Sequence, residues 1–333
     1  MRGNEVNDMT MHLIHDLFVP KASAPSRDGF GKAIVELGER DANVWVLTAD
    51  VSESTRTHWF AEKYPDRFVQ VGVAEQNLAG VAAGIAACGK TVFISAYGVF
   101  SPGRNWDQVR VSICYNDVPV ILHGSHTGLT VGPDGASHQA LEDIAIMRAL
   151  PNMTVISPCD QEQVKKAFVA AAKMKKPAYI RTSREKSAVF TTEQTPFEIG
   201  KVNVYKDGKD VAIFACGFMV YESLKAAELL KKEGIDAAVV DCHTIKPMDR
   251  HAVIEWAKKT GLIVSVEEHQ VHGGMGSAIA EVLAQENCPG RLRIHGVNDT
   301  FCESGNTADL LKKYKLDATG IAEVVKEAVK NKR

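Results

Sequence analysis

The feature that most constrains the fold of this chain is a regular alternation of short apolar runs with longer amphipathic segments. Runs rich in Val, Ile, Phe and Ala predict buried strands at 44–48, 68–72, 91–95, 118–123, 153–157 and 178–181. Segments with helical periodicity lie between them, at 30–39, 75–88, 106–115, 139–149 and 161–174. Short apolar strands separated by helices indicate a mostly parallel sheet that is covered by helices on both faces.

A polar stretch at 183–208 interrupts this alternation, because it has no helical periodicity and contains the sequence Thr-Thr-Glu-Gln-Thr-Pro. We interpret its second part, 191–208, as a linker between domains. The alternation then resumes and continues to a final amphipathic segment near the C-terminus. We therefore predict an α/β protein with two doubly wound domains and mostly parallel sheets, at 27–190 and 209–333, preceded by an N-terminal arm at 1–26.

Length and composition exclude several classes of protein. A chain of 333 residues can bury two cores, and its net charge of −2 argues against a nucleic-acid partner. No apolar run approaches the roughly 20 residues of a membrane span. The seven cysteines contain no CxxC pair, which favours reduced thiols and a cytoplasmic protein. The arm lacks a signal-peptide core, so we expect it to pack on its own domain or on a neighbour.

Glu75 is the first residue that indicates chemistry, because it follows a predicted strand and begins a helix rich in Ala and Gly. Small residues let such a helix pack closely, so we expect the carboxyl group to be desolvated and its pKa raised. The alternative is an ordinary acidic residue that complements the dipole at a helix N-terminus. Glu75 alone does not separate these two interpretations.

Further polar and aromatic residues follow the next predicted strands. Tyr97 and Phe100 come after the run at 91–95, and His126 comes after the run at 118–123. A glycine-rich turn then carries Asp134 and His138. Two aromatic residues three positions apart are more often core residues. Their order matters, because loops at the carboxyl ends of parallel strands form ligand sites in such folds.

Two motifs give this order its meaning: Val-Ala-Glu-Gln-Asn at 73–77 and Gly-Pro-Asp-Gly-Ala-Ser-His-Gln at 132–139. Together they closely resemble the pyrimidine-binding domain of the group that contains transketolases and 1-deoxyxylulose-phosphate synthases. The second predicted domain resembles the C-terminal domain of that group, with Thr-Ile-Lys-Pro-Met-Asp at 244–249. The resemblance extends over nearly the whole chain from Arg27 onward.

The resemblance implies a thiamine diphosphate cofactor and a role for each matching residue. Glu75 matches the glutamate that hydrogen-bonds the aminopyrimidine ring and thereby activates the cofactor. Tyr97 and Phe100 match the aromatic pair that encloses this ring, and Asp50 matches an aspartate near the thiazolium. His126 also lies at a matching position, beside the reacting carbon of the sugar.

The resemblance also implies a site for a sugar phosphate. His126 and Asp134 would contact the sugar hydroxyl groups, and Glu75, His126 and His138 would be the catalytic residues. The residues that match the phosphate-binding positions of the family are Arg27, Ser54, His138 and Arg184. Arginine offers a charged, forked set of donors to an anion, which would let a nearly neutral chain bind a phosphate.

Single-chain members of this group carry an earlier domain with a Gly-Asp-Gly segment and an Asn, which hold a divalent metal and the diphosphate. This chain has no such segment, and its Arg27 lies where those enzymes begin their second domain. The resemblance therefore implies an N-terminal partner subunit that binds Mg²⁺ or a similar ion, in a hetero-oligomer such as α₂β₂. A natural subunit and a cloned fragment both remain open.

Several functions remain open from the sequence. The leading one is transfer of a two-carbon ketol unit between sugar phosphates by the C-terminal subunit of a transketolase. The alternatives are half of a 1-deoxyxylulose-5-phosphate synthase, the beta subunit of a 2-oxo acid dehydrogenase, and a non-catalytic scaffold. We expect the second domain to stabilise a dimer and to contain no catalytic residue, with Glu267, Glu268 and His269 as a structural cluster.

Overall fold

The computed structural model describes residues 12–332, which are built around two sheets. The first sheet has strands β2 to β7 and β12, in the order β12-β6-β7-β5-β4-β2-β3. Their bounds are β2 Val44–Thr48, β3 Phe68–Gln70, β4 Thr91–Tyr97, β5 Val120–Ser125, β6 Thr154–Ile156, β7 Ala178–Arg181 and β12 Thr244–Lys246. All neighbouring strands are parallel except β12, which is antiparallel to β6.

Helices cover both faces of this sheet, because successive strand residues point to opposite sides. On one face, Phe93 packs with Phe30 and Phe168, whereas Ile94 packs with Leu78 on the other. The helices of this half are α1 Arg27–Arg40, α2 Ser52–Thr55, α3 His58–Lys63, α4 Glu75–Ala87, α5 Trp106–Gln108, α6 Asp143–Arg148 and α7 Gln161–Met174, with a π-helical turn at Val109–Tyr115.

The second sheet has the order β14-β13-β10-β11-β9 and is parallel except for β9. Its strands are β9 Asn203–Lys206, β10 Val211–Ala215, β11 Ala237–Asp241, β13 Leu262–Gln270 and β14 Arg291–Val297. Its helices are α8 Met219–Lys232, α9 Arg250–Thr260, α10 Met275–Gln285, α11 Thr307–Lys313 and α12 Ala318–Lys332. The predicted fold class, with two mostly parallel sheets and covering helices, is confirmed.

The two halves are joined by more than a flexible connection. Strand β12 belongs to the second half by sequence, yet it extends the first sheet through its pairing with β6. The stretch 191–208 contains β9, an edge strand of the second sheet. The domain boundaries at 190 and 209 stay predictions, and the polar composition of this stretch gave no sign of a strand.

The described part of the N-terminal arm packs on its own chain. Ile14 N donates to Phe190 O at 3.0 Å, and the hydroxyl of Tyr221 donates to Leu17 O at 3.0 Å. Further along, β1 Ser23–Pro25 pairs antiparallel with β8 Lys186–Ala188. Residues 1–11 of the predicted arm lie outside the described residues. From 12 to 332, no helix combines the length and the apolar composition needed to cross a membrane.

Candidate functional site

The carboxyl ends of four parallel strands, β2, β4, β5 and β7, lie side by side in the first sheet. A cavity of about 450 Å³ opens near this edge. Its lining residues are Arg27, Glu53, Ser54, Arg56, Tyr97, His126, Asp134 and Arg184. The structure therefore brings together six of the predicted site residues and adds two, Glu53 and Arg56, that the sequence did not single out.

Glu75 is the first residue of α4, and only 2% of it is exposed. Arg104 Nη1 donates to Glu75 Oε2 at 2.5 Å, and Asn105 Nδ2 donates to the backbone oxygen of Glu75 at 3.1 Å. Burying a lone carboxylate is costly, and the guanidinium offsets that cost. Arg104 was missed from sequence because it sits in a polar stretch with no motif around it.

The aromatic pair connects this carboxyl group with the cavity. The rings of Tyr97 and Phe100 are nearly parallel, at 21°, with centroids 6.3 Å apart. Tyr97 stacks on His126 at 4.0 Å, and the edge of His138 faces Phe100 at 5.3 Å. The guanidinium of Arg104 lies over Phe100, 4.9 Å from its centroid. The two aromatic residues are thus part of the site surface.

His126 is held as a neutral imidazole. It has a left-handed backbone, with φ of 55°, and is 3% exposed. Burial lowers its pKa to about 3, and the nearby charges of Arg27 and Arg184 act in the same direction. Arg27 Nη1 lies 3.4 Å from His126 Nε2, and Ser125 Oγ lies 2.8 Å from Nδ1. Since a guanidinium only donates, Nε2 is the acceptor and Nδ1 carries the proton.

The arginines of the cavity are positioned by their neighbours. Arg27 Nη1 donates to the backbone oxygen of Arg184 at 3.1 Å, and burial lowers the pKa of Arg27. Arg56 Nε donates to Asp28 Oδ1 at 2.7 Å. The Nε of Arg27 is buried without a hydrogen-bond partner among the described residues. Three guanidinium groups around one cavity suit a small, multiply charged anion.

The two other predicted residues, Asp50 and His138, are not among the lining residues of the cavity. Asp50 is exposed directly after β2, and its backbone N–H donates to Gln70 Oε1 at 2.7 Å. His138 is half-buried, and its Nδ1 lies 2.9 Å from Ser137 Oγ. The ring of His138 is 6.1 Å from that of Tyr97, which places it beside the cavity.

The geometry fits a flat nitrogen heterocycle better than a metal ion. A buried carboxyl group next to two aromatic rings can hydrogen-bond a ring nitrogen while the rings contact its face. Glu75, Tyr97 and Phe100 could hold such a ring. Within residues 12–332, no group of three or more His, Cys, Asp or Glu residues is arranged to hold a metal.

Comparison with known proteins identifies similar sequences and folds. The chain matches the family models for the transketolase pyrimidine-binding domain at 22–188 and for the transketolase C-terminal domain at 200–321. It is 44% identical over 306 residues to a putative transketolase C-terminal section of Methanocaldococcus jannaschii, covering 91% of this chain and 96% of the relative. A 6-deoxy-6-sulfo-D-fructose transketolase subunit of Clostridium sp. (strain MSTE9) is 40% identical over 306 residues, with coverage of 92% and 95%.

A solved structure has the same architecture over nearly its full length. It is described as a split gene transketolase, inactive β4 tetramer, and it superposes with a TM-score of 0.86 at 45% sequence identity. The match covers 93% of this chain and 99% of that chain.

Proposed function

This chain belongs to the transketolase family, whose members use thiamine diphosphate, and we propose that it is the C-terminal subunit of a split transketolase. The reaction would be transfer of a two-carbon ketol unit from a ketose phosphate to an aldose phosphate. One observation carries this proposal. A buried carboxyl group, paired with Arg104, is linked through the rings of Phe100 and Tyr97 to an arginine-lined cavity at one edge of one sheet.

Thiamine diphosphate supplies the reactive carbon and the electron sink of this reaction when it is bound. The residues of this chain would prepare it. Glu75 would hydrogen-bond the aminopyrimidine ring, and Arg104 fixes the carboxylate for that contact. Tyr97 and Phe100 would pack on the ring, and Asp50 would lie near the thiazolium. A buried carboxylate that is fixed by a hydrogen bond suits this role because its oxygens are held in one orientation.

The cavity would hold the sugar. His126 is neutral, so it can exchange hydrogen bonds with sugar hydroxyl groups at neutral pH. Asp134 would accept from another hydroxyl, and His138 would move a proton at the reacting oxygen. The phosphate would be bound by Arg27, Ser54, Arg184 and His138, with Arg56 as an addition from the structure.

A companion N-terminal subunit would complete the enzyme. We propose that it holds the diphosphate through Mg²⁺ or a similar ion, and that the two subunits assemble as α₂β₂. The relatives support this division, because one is described as a C-terminal section and another as a split gene product.

One relative is described as a 6-deoxy-6-sulfo-D-fructose transketolase subunit, so the anion on the sugar has to be considered separately for this chain. Three arginines favour a doubly charged phosphate, because a sulfonate carries only one negative charge. The same arginines disfavour a branched 2-oxo acid as the donor. A deoxyxylulose-phosphate synthase remains the second enzyme to test, because it would need the same carboxyl group and phosphate site.

The test is reconstitution with the companion subunit, thiamine diphosphate and Mg²⁺. With xylulose 5-phosphate and ribose 5-phosphate, we expect sedoheptulose 7-phosphate to form. Glu75→Gln should lower kcat by about 10²–10⁴-fold, because the cofactor loses its proton partner. Glu255→Gln is the matched control, since that side chain is 65% exposed on α9. Full activity of Glu75→Gln would support a scaffold. Formation of deoxyxylulose 5-phosphate and carbon dioxide from pyruvate and glyceraldehyde 3-phosphate would support the synthase.

A further inference from the structure

The segment 126–141 carries the sugar-binding residues of the proposed site but has little regular structure of its own. It leaves β5 at His126, passes Asp134 and His138, and reaches α6. Its backbone is left-handed at three glycines, namely Gly128, Gly132 and Gly135. Glycine is the residue that adopts such a backbone without strain, but it offers no side chain to anchor a loop. Contacts from elsewhere must therefore fix the 126–141 segment.

Glu268 of the second domain makes one of these contacts through a buried carboxyl group. It lies on β13, and 3% of it is exposed. Its Oε2 accepts a hydrogen bond from the backbone N–H of Thr130 at 3.0 Å. A Cβ atom on Gly128 would lie 2.2 Å from Glu268 Cδ, so the carboxyl group occupies the space that a side chain would need. Glu268 and the 126–141 segment are therefore packed in direct contact.

The other end of the segment is joined to the same strand. Arg181 Nη2 donates to the backbone oxygens of Ala140 at 3.3 Å and Glu268 at 3.4 Å. Arg181 itself is buried and held by Asp143, whose Oδ2 accepts from its Nε at 2.9 Å. The segment is thus attached to Glu268 near both of its ends, directly at Thr130 and through Arg181 at Ala140.

The loop before α11 adds contacts along the middle of the segment. Ser304 Oγ donates to the backbone oxygen of Pro133, next to Asp134. Gln139 Nε2 donates to the backbone oxygen of Glu303 at 3.3 Å. The segment is therefore bound to the second domain along most of its length, and only its cavity side faces the proposed sugar site.

Burying a carboxyl group in this space costs free energy, because the group loses its contact with water. Burial raises the pKa of Glu268 to about 7, even though the nearby Arg181 acts in the opposite direction. An apolar side chain would avoid that cost but would leave the Thr130 N–H buried without an acceptor. The neighbouring Glu267 has a different task, since it accepts from Met275 N at 2.7 Å and Gly276 N at 2.8 Å at the start of α10.

We propose that Glu268 is a positioning residue for the sugar site, which fixes the backbone of the 126–141 segment so that His126, Asp134 and His138 face the cavity. The inference rests on the proposed function. It gives the C-terminal domain a role in substrate binding through the segment that it positions. The sequence led us to expect only dimer stabilisation from this domain.

The test compares Glu268→Ala with Glu268→Gln in the reconstituted enzyme. We expect Glu268→Ala to raise the KM of both sugar phosphates about tenfold, because a buried N–H loses its acceptor. Its kcat and its affinity for thiamine diphosphate should change far less. Glu268→Gln keeps an acceptor oxygen and should stay within about twofold of the parent. Val325→Ala is the control for lost packing, since Val325 is buried on α12 in the core of the second half and its side chain offers no hydrogen bond to the segment.

A second measurement does not depend on catalysis. Hydrogen exchange of the 126–141 segment should be faster in Glu268→Ala, and unchanged in Glu268→Gln and Val325→Ala. If Glu268→Ala does not fold, Gly128→Ala approaches the same carboxyl group from the segment and should raise KM in the same way. Values of KM and exchange equal to those of Val325→Ala would overturn the inference. If the reconstituted parent enzyme showed no ketol transfer, the proposed function would be overturned instead. The exchange measurement would still test the contact between Glu268 and the 126–141 segment.

Discussion

Arg27, Arg56 and Arg184 surround the cavity, and each is restrained by hydrogen bonds from the same chain. Arg56 donates to Asp28 and to the backbone oxygen of Glu53, and Arg184 Nη1 donates to the backbone oxygen of Val131 at 2.9 Å. A restrained guanidinium loses little conformational freedom when it binds an anion. The charges of the site are therefore arranged before any substrate arrives.

Arg56→Gln tests the contribution of the third arginine. We expect the KM of a phosphorylated ketose to rise about tenfold, because a charged hydrogen bond to the anion is lost. The KM of the unphosphorylated ketose should be nearly unchanged. Steady-state kinetics with both donors measures the difference, and Arg293→Gln, exposed on β14, serves as the control. Equal changes for both donors would contradict a role in binding the phosphate.

The buried carboxyl group of Asp241 should make the unfolding free energy of the protein depend on pH. Its Oδ2 accepts from Gln163 at 2.5 Å and from Tyr205 at 3.1 Å, while its Oδ1 is buried with no hydrogen-bond partner among residues 12–332. Burial raises its pKa from an ordinary value of 3.8 to about 7. The folded chain therefore binds this proton more tightly than the unfolded chain, so stability falls as pH rises from about 4 to about 7.

Comparison with Asp241→Asn isolates this effect. The parent should lose up to about 1.4 kcal/mol of unfolding free energy per pH unit relative to the variant between pH 5 and 7. Urea denaturation of both proteins at several pH values measures the difference. Parallel stability curves for the two proteins would show that Asp241 does not titrate in this range.

At the level of elements, the start of α1 depends on how closely that helix approaches α7. A Cβ atom on Gly29 would lie 2.2 Å from the backbone oxygen of Gln161, so the two helices touch at this point. Arg27 is only two residues away, at the first position of α1. The spacing of the two helices therefore helps to place a residue of the proposed phosphate site.

Gly29→Ala should separate these helices. We expect a loss of about 1–3 kcal/mol in unfolding free energy from overpacking, together with a higher KM for sugar phosphates because Arg27 moves. Gly84→Ala is the matched control for stability, since a Cβ at that position on α4 would meet no other element within 4 Å in the described part of the chain. That change should stabilise the isolated chain by up to about 1 kcal/mol. A Gly29→Ala variant as stable as the parent would contradict the close contact.

Sequence periodicity was sufficient to predict helices and strands that are regular and do not depend on a partner far away in sequence. The strands at 44–48 and 178–181 and the helix at 161–174 were predicted with the bounds that the structure has. Strand β12 was missed because it has three residues and its partner lies far away in sequence. The same reason applies to Arg56 and Arg104, whose roles follow from neighbours that only the fold brings close.

At the level of the whole molecule, the proposed site combines groups for a heterocyclic ring with groups for a sugar phosphate. The described residues offer a carboxyl group, aromatic rings and an anion cavity for a sugar, but no metal cluster for a diphosphate. Val73, two residues before Glu75, is 72% exposed.

The isolated chain should therefore bind thiamine diphosphate weakly and show no turnover. An aminopyrimidine ring alone offers few atoms for contact, and the charged diphosphate would find no partner. Isothermal titration calorimetry should detect no binding at micromolar concentrations for the chain alone, and clear binding after the companion subunit is added. Micromolar affinity of the isolated chain would show that it contains a complete cofactor site.

The pairing of β12 with β6 determines where this protein can be divided or recombined. A chimera that joined residues 1–208 to the second half of another relative would depend on a foreign strand at this edge. A poor fit would leave β6 with unpaired backbone groups, which are prone to pair with other chains. If the junction of the chimera lies ahead of α1 instead, β12 and β6 come from the same protein and their pairing is kept. A chimera that takes both sheets from this chain therefore keeps the β12–β6 edge intact.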